Sequence, residues 1–233
     1  MKKMWLMIIA VLVVAPGTQA RDFTVSICGT GQVAADKDFD PLSANDTIGM
    51  AHIEVGMELD EILEGLSLEL AYQGGSVESD LFAGQNPWLH TQLLTHGIVV
   101  STSMRIPLAD WLNTMVRLGA TIDFARLRLS SDADLLLSDW SLARLGAVAS
   151  AGIEVLLPRN QWRDWFDKPR GDPHEGFTMG IRLEVGWSFR QAYEFDQMAP
   201  ADGGAGKIAL QDVGLGGVDL DGFMFRAGLV VFF

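Results

Sequence analysis

Hydrophobic and polar residues alternate with a period of two along the last twelve residues, GFMFRAGLVVFF. The intervening positions include a charged Arg226 and a small Gly228. Side chains of a strand point alternately to its two faces, so the segment predicts a strand with one apolar face. The apolar face consists of Phe223, Phe225, Ala227, Leu229, Val231 and Phe233.

Seven upstream segments show the same alternation. They lie at about 23–28, 51–59, 66–72, 89–106, 116–124, 143–155 and 177–189. No long stretch of the chain shows the hydrophobic period of a helix instead. An even number of strands closes an antiparallel sheet with both chain ends on one side. The pattern therefore predicts an all-β fold, an eight-stranded, up-and-down antiparallel β-barrel.

The links between the predicted strands fall into two groups. Links around Asp60, around Pro107 and at 158–175 follow even-numbered strands and are expected on the inner side. The segment 161–166, QWRDWF, could add one amphipathic turn at the inner boundary. The other links are expected to form longer, acidic outer loops, and they lie at 32–48, 74–88, 128–138 and 191–221.

The polar faces of the strands favour a transmembrane barrel over a soluble one. A soluble barrel also alternates, but it turns its apolar face inward. The polar faces here carry many glycines, for example Gly97 and Gly119, which weaken a solvent-facing strand but make room in a crowded lumen. A soluble secreted barrel or sandwich is the alternative.

The first twenty residues are expected to be a secretory signal peptide, which leaves 21–233 as the barrel domain. Lys2 and Lys3 precede an apolar run, and small residues follow it up to Ala20. The whole chain has 17 basic and 30 acidic residues and a net charge of −13, so the basic surface expected of a nucleic-acid-binding protein is missing. Cys28 is the only cysteine, which excludes an internal disulfide.

Topology, signal peptide and the terminal Phe233 together resemble the small eight-stranded outer-membrane barrels of the OmpA and OmpX type. The resemblance implies location in the bacterial outer membrane, contact with its lipid and lipopolysaccharide, and a monomer with a structural or surface-interaction role. It also implies that Phe233 is read as a signal by the barrel-assembly machinery. It implies no cofactor.

Charged residues dominate the face that should line the lumen. An eight-stranded barrel has an interior just wide enough for side chains to fill it. Buried charges are tolerated when they are paired and hydrogen-bonded, so these residues predict a salt-bridged, largely plugged lumen. A narrow gated pore is the alternative. The set is Glu54, Glu58, Glu69, Arg105, Arg117, Asp123, Arg144, Glu154, Arg182, Glu184, Arg190 and Arg226.

An enzymatic role is the third hypothesis. Some barrels of this size modify lipopolysaccharide with a histidine, a serine and an acid near the outer rim. His90 and His96 lie near that rim by topology, but neither has a serine two residues later. Asp212, Asp219 and Asp221 do not have the spacing of a calcium loop. We therefore expect no enzymatic activity and no metal site.

Overall fold

The computed structural model describes residues 23–34, 47–83, 86–130, 136–140, 143–157, 178–194 and 217–233. Within these ranges, side chains are not described at 80–83, 86–89, 129, 130, 136–140, 194 and 217. The predicted signal peptide and the segment 161–166 lie outside the described residues.

The strands are β1 Phe23–Ala34, β2 Thr47–Glu58, β3 Leu66–Ala83, β4 Asn86–Ala109, β5 Leu112–Ser130, β6 Leu136–Trp140, β7 Arg144–Leu156, β8 Thr178–Arg190, β9 Tyr193–Glu194, β10 Gly217–Val218 and β11 Gly222–Phe232.

Eight of these strands form a closed antiparallel ring. The order around the ring is β1, β2, β3, β4, β5, β7, β8 and β11. β1 pairs with β11 along its length, for example Val25 with Val231, and this pairing closes the sheet. The predicted eight-stranded antiparallel barrel is confirmed. β6 pairs with the far part of β5, and β9 and β10 form a separate two-stranded sheet.

The outer face of the barrel is apolar. On β8, Leu183 and Val185 are exposed while the alternating Arg182 and Glu184 are buried. On β11, Phe225 is exposed and Arg226 is buried. The apolar face that the alternation predicts therefore points outward, which is the arrangement that lipid requires and that water disfavours.

The two ends of the barrel differ. One end, the turn end, carries the links β2–β3 and β4–β5 together with Phe23 and Phe233. The backbone N–H of Phe233 donates to Phe23 O at 2.9 Å. Gly65 closes the β2–β3 link with a φ of 78°, a conformation that side chains with a Cβ rarely adopt. Its N–H donates to Asp60 Oδ1 at 2.8 Å, and its carbonyl accepts the N–H of Arg105 at 2.8 Å.

Three strands extend far beyond the other end, the loop end. β3, β4 and β5 have 18, 24 and 19 residues, whereas crossing a bilayer takes roughly 9–11 residues. Together with β6 they form the loop-end ribbon, which comprises 76–83, 86–94, 126–130 and 136–140. The prediction of a loop at 74–88 is therefore wrong, since β3 and β4 continue pairing through most of it. In the predicted loop at 128–138, the described residues 128–130 and 136–138 are also paired strand.

The misplaced loops have a simple cause. Glycines and acidic residues favour a loop at 74–88, but the β3–β4 ladder continues past Gly74 and Gly75, and its register is irregular only at Leu81 and Phe82. Cross-strand pairing overrode the local preference. In the described part of the chain, no helix is long and apolar enough to cross a membrane.

Candidate functional site

The predicted lumen residues all lie on inward-facing positions of seven different barrel strands. Ten of the twelve are buried, and Glu58 and Arg144, near opposite ends of the barrel, are half-buried. The buried set contains five arginines and five carboxylates. Period-two alternation alone accounts for this placement, because each residue shares its parity with the buried positions of its strand.

Glu54 is the acceptor at the centre of the lumen. Arg117 Nη1 lies 2.5 Å from its Oε2, and Arg182 Nη1 lies 2.5 Å from its Oε1. The three residues come from β2, β5 and β8, so these ion pairs join three parts of the wall across the interior. His52, two residues before Glu54, places Nε2 at 3.2 Å from Glu54 Oε2.

Three further carboxylates share the same arginines. Arg182 Nη2 lies 2.7 Å from Glu154 Oε1, and Arg117 Nη2 lies 3.0 Å from Glu69 Oε2. Glu184 is 3.5 Å from Arg117 and 3.3 Å from Arg226. Each acid thus meets more than one guanidinium, an arrangement that offsets the cost of removing these charges from water.

Arg105 closes the turn end of this group. Its guanidinium lies 3.1 Å from Glu154, 3.4 Å from Glu69 and 3.4 Å from Glu58. The ring of Phe232 covers it, with a distance of 5.3 Å from Arg105 Cζ to the ring centroid. We call the ion-paired group the central cluster; it consists of Glu54, Glu69, Arg105, Arg117, Glu154, Arg182, Glu184 and Arg226.

Hydroxyl groups complete the central cluster. Ser103 Oγ donates to Glu69 at 2.8 Å, and Ser150 Oγ donates to Glu184 at 2.9 Å. Ser67 lies 2.7 Å from Ser103 and accepts from Arg105 at 3.2 Å. Sequence reasoning listed only the charged members and missed these serines and His52. Alternation along the strands could have identified them as inward-facing. Each lies two residues from a predicted lumen acid or arginine, or opposite one on the neighbouring strand.

A second ion pair lies nearer the loop end. Arg190 Nε is 3.4 Å from Asp123 Oδ2, and Asp123 also accepts from Gln73 at 2.9 Å and from Thr121 at 2.7 Å. Gly97 faces this carboxylate so closely that an added Cβ would collide with Asp123 Oδ1. The single network expected from the sequence is thus divided into two groups.

An apolar layer separates the two groups. It consists of Ala71, Val99, Val148 and Met224, each buried. On β3, Ala71 lies between Glu69 and Gln73, and on β11 Met224 precedes Arg226 by two residues. A small cavity beside the layer has room for about one water molecule.

The loop end of the lumen is filled by apolar side chains that sequence reasoning did not place there. Tyr193 of β9, Val218 of β10 and Leu220 pack against inward-facing residues of β2, β4 and β5. Gln32 Nε2 donates to Leu220 O, and the backbone N–H of Arg190 donates to Asp221 Oδ1. We call this group the loop-end plug; it consists of Ile48, Met50, Leu93, Ala125, Leu127, Tyr193, Val218 and Leu220.

Phe233 lies on the outer face at the turn end, with 43% of its surface exposed. Its position at the edge of the apolar face agrees with the end of a lipid-facing strand. Its role as an assembly signal remains a prediction.

Comparison with known proteins gives a match in structure but not in sequence. No protein-family model matches the chain, and no curated protein matches it. The crystal structure of Neisserial surface protein A (NspA) is similar at a TM-score of 0.51 and 10% identity, over 91% of this chain and 97% of that one. The crystal structure of Ail, the attachment invasion locus protein of Yersinia pestis, gives a TM-score of 0.43 and 11% identity, over 91% of this chain and 99% of that one.

At these identities the likeness concerns the fold alone. The closed ring of eight antiparallel strands and the outward apolar face agree with it. The expected resemblance to the OmpA and OmpX type is confirmed at that level. The chain has the fold of the small eight-stranded outer-membrane β-barrels.

Proposed function

We propose that the protein is a monomeric outer-membrane barrel with a closed lumen, and that it acts at the cell surface through its loop end. The loop-end ribbon carries this proposal. It extends strands of 18 to 24 residues past the length that a bilayer needs, and hydrogen-bonded pairing holds it rigid. A paired sheet that projects from a fixed barrel presents the same surface to each partner, which suits recognition better than transport.

The interior supports a closed lumen rather than a gated pore. A solute would have to pass the loop-end plug, the apolar layer and the central cluster in turn. The central cluster spans the cross-section with ion pairs between strands that are not neighbours, and opening it would leave charges unpaired. Phe232 and Arg105 cover the turn end of the same path.

The proposed role is not enzymatic. A substrate would need to reach the paired carboxylates through the same closed path. At the rim, the ring of His96 stacks on Phe124, with centroids 5.5 Å apart, on the lipid-facing side. That contact favours a packing role for His96. Contact with the barrel-assembly machinery, with outer-membrane lipid and with lipopolysaccharide belongs to the same proposal.

The similar fold of Neisserial surface protein A, which its name describes as a surface protein, agrees with this role. We expect a variant whose ribbon is shortened, with 78–92 replaced by a two-residue turn between the paired Val77 and Leu93, to fold and insert like the parent protein. It should lose the adhesion to surfaces or to other cells that the unmodified protein is expected to give to the cells that express it.

Two measurements test the proposal. In planar bilayers, the refolded protein should show no discrete conductance steps, whereas regular steps would favour the gated pore. On intact cells, protease added from outside should cut the links at the loop end and leave the barrel strands protected. A protein found in the soluble periplasmic fraction, or a shortened variant with unchanged adhesion, would contradict the proposal.

A further inference from the structure

A small cavity lies inside the lumen beside the apolar layer, and each of the eight barrel strands contributes to its wall. Val99, Val148 and Met224 of the apolar layer form part of that wall. The rest is mostly polar and includes Arg190, Arg226 and side chains with hydroxyl or carboxamide groups. No carboxylate of the described residues lines the cavity. It is therefore a polar chamber with room for about one water molecule.

Three polar residues of this wall each have one side-chain atom without a hydrogen-bond partner in the described part of the chain. The atoms are Gln32 Oε1, Ser188 Oγ and Arg190 Nε. All three residues are more than nine-tenths buried. Arg190 Nε lies 3.4 Å from Asp123 Oδ2, an ion-pair distance at which no hydrogen bond is formed here. Buried polar atoms are nearly always hydrogen-bonded, to the protein or to bound water, so these three atoms indicate a ligand.

The chemistry of the three atoms matches a single water molecule. The hydroxyl of Ser188 and the Nε–H of Arg190 can donate hydrogen bonds, whereas Gln32 Oε1 can only accept one. Water donates and accepts at the same time, and a buried water in a protein typically makes about three hydrogen bonds. One water molecule would therefore satisfy all three atoms.

We propose that the cavity binds one structural water, which accepts hydrogen bonds from Ser188 and Arg190 and donates one to Gln32. Gln32 lies on β1, and its Nε2 donates to Leu220 O of the loop-end plug. Ser188 and Arg190 lie on β8, and β11 separates β8 from β1 in the ring. The water thus joins two strands that are not neighbours, and it connects the ion pair of Arg190 with the side chain that holds the loop-end plug.

A chloride ion is the main alternative ligand, because two arginines belong to the wall. Gln32 Oε1 carries a partial negative charge and would repel an anion. The buried charges of the lumen also balance already, with five arginines and five carboxylates, so an added anion would be uncompensated. The same two arginines disfavour a cation. Water is the ligand that suits all the polar groups of the wall.

The inference requires a folded barrel but does not depend on the proposed role at the cell surface. The first test is a crystal structure of the unmodified protein, refolded and checked by heat-modifiable gel mobility. Electron density for one water is expected in the cavity, about 2.7–3.2 Å from Gln32 Oε1, Ser188 Oγ and Arg190 Nε. A second crystal, grown with sodium bromide in place of chloride, should give no anomalous signal at that position, because bromide replaces chloride but not water.

The second test measures coupling between Ser188 and Gln32. A shared water passes the loss of one partner on to the other, so the effects of their substitutions should not add. S188A is expected to lower the midpoint of urea denaturation, and to lower it less when Q32M is already present. S76A, at an exposed serine on the outer face, is the matched control and should have the same effect in both backgrounds.

Three results would overturn the inference. The first is an absence of density for a water in the cavity of the unmodified protein, a test that needs no variant. The second is an anomalous bromide signal in the cavity, which would identify an anion site instead. The third is additivity of S188A and Q32M, which would show that the two side chains share no ligand.

Discussion

Glu54 and Arg182 are 128 positions apart in the chain, yet Arg182 Nη1 lies 2.5 Å from Glu54 Oε1 in the middle of the lumen. One residue is on β2 and the other on β8, and neither strand pairs with the other. The contact therefore exists only because the sheet is closed. It links the stability of the barrel to the pairing of two buried charges from distant parts of the chain.

Removing Arg182 should leave Glu54 and Glu154 buried with one cation fewer. R182A is expected to destabilise the folded barrel by about 3–5 kcal/mol, and by less if water enters the space. The change should appear as a lower midpoint in urea denaturation of the refolded protein in detergent. L183A is the control, because Leu183 is the next residue and lies on the lipid face. An R182A protein as stable as L183A would mean that Arg182 is solvated.

The two ion-paired groups should behave independently. Asp123 belongs to the group near the loop end, whereas Glu54 and Arg182 share the central cluster. Effects of D123N and E54Q on the free energy of unfolding should add to within about 0.5 kcal/mol. E54Q and R182M should instead show a coupling energy of roughly 0.5–3 kcal/mol in a double-mutant cycle. Strong coupling between positions 123 and 54 would show that the apolar layer does not separate the groups.

The loop-end plug should contribute stability without being the only barrier to ions. L220A removes a fully buried side chain and is expected to cost about 2–5 kcal/mol. Conductance in planar bilayers should remain absent, since the central cluster still fills the lumen below. Leu229 on the lipid face supplies the control, as L229A. Conductance steps in L220A would show that the plug alone closes the barrel.

Gly65 should be intolerant of any side chain. Its φ is 78°, and an added Cβ would collide with the carbonyl oxygen of Arg105. G65A is expected to cost at least about 1–2 kcal/mol and to reduce the yield of refolded barrel, measured by heat-modifiable gel mobility. G49A is the matched control, since an added Cβ at Gly49 meets no atom within 4 Å. Equal yields for G65A and G49A would contradict the strained link.

The sequence by itself determined which way the side chains face. Alternation placed Arg117, Glu154 and Arg226 inward and Phe225 and Leu183 outward, and the structure has them so. It also led to the number of barrel strands and to their antiparallel order. These properties are local, because a few residues are enough to show the two-residue period of a strand and the apolar face that contact with lipid requires.

The tertiary structure alone decided which charged side chains of the lumen pair with each other. Alternation cannot show that Glu54 meets Arg117 and Arg182, because the shear of a closed sheet sets which residues share a level in the lumen. Alternation also did not predict the apolar side chains that fill the loop end of the lumen. Tyr193 and Leu220 lie between the barrel strands β8 and β11 in the chain. They are buried because the inward side chains of Ile48 and Leu93 offer them an apolar surface inside the barrel. Only closure of the ring creates that surface, so no segment of the chain contains it.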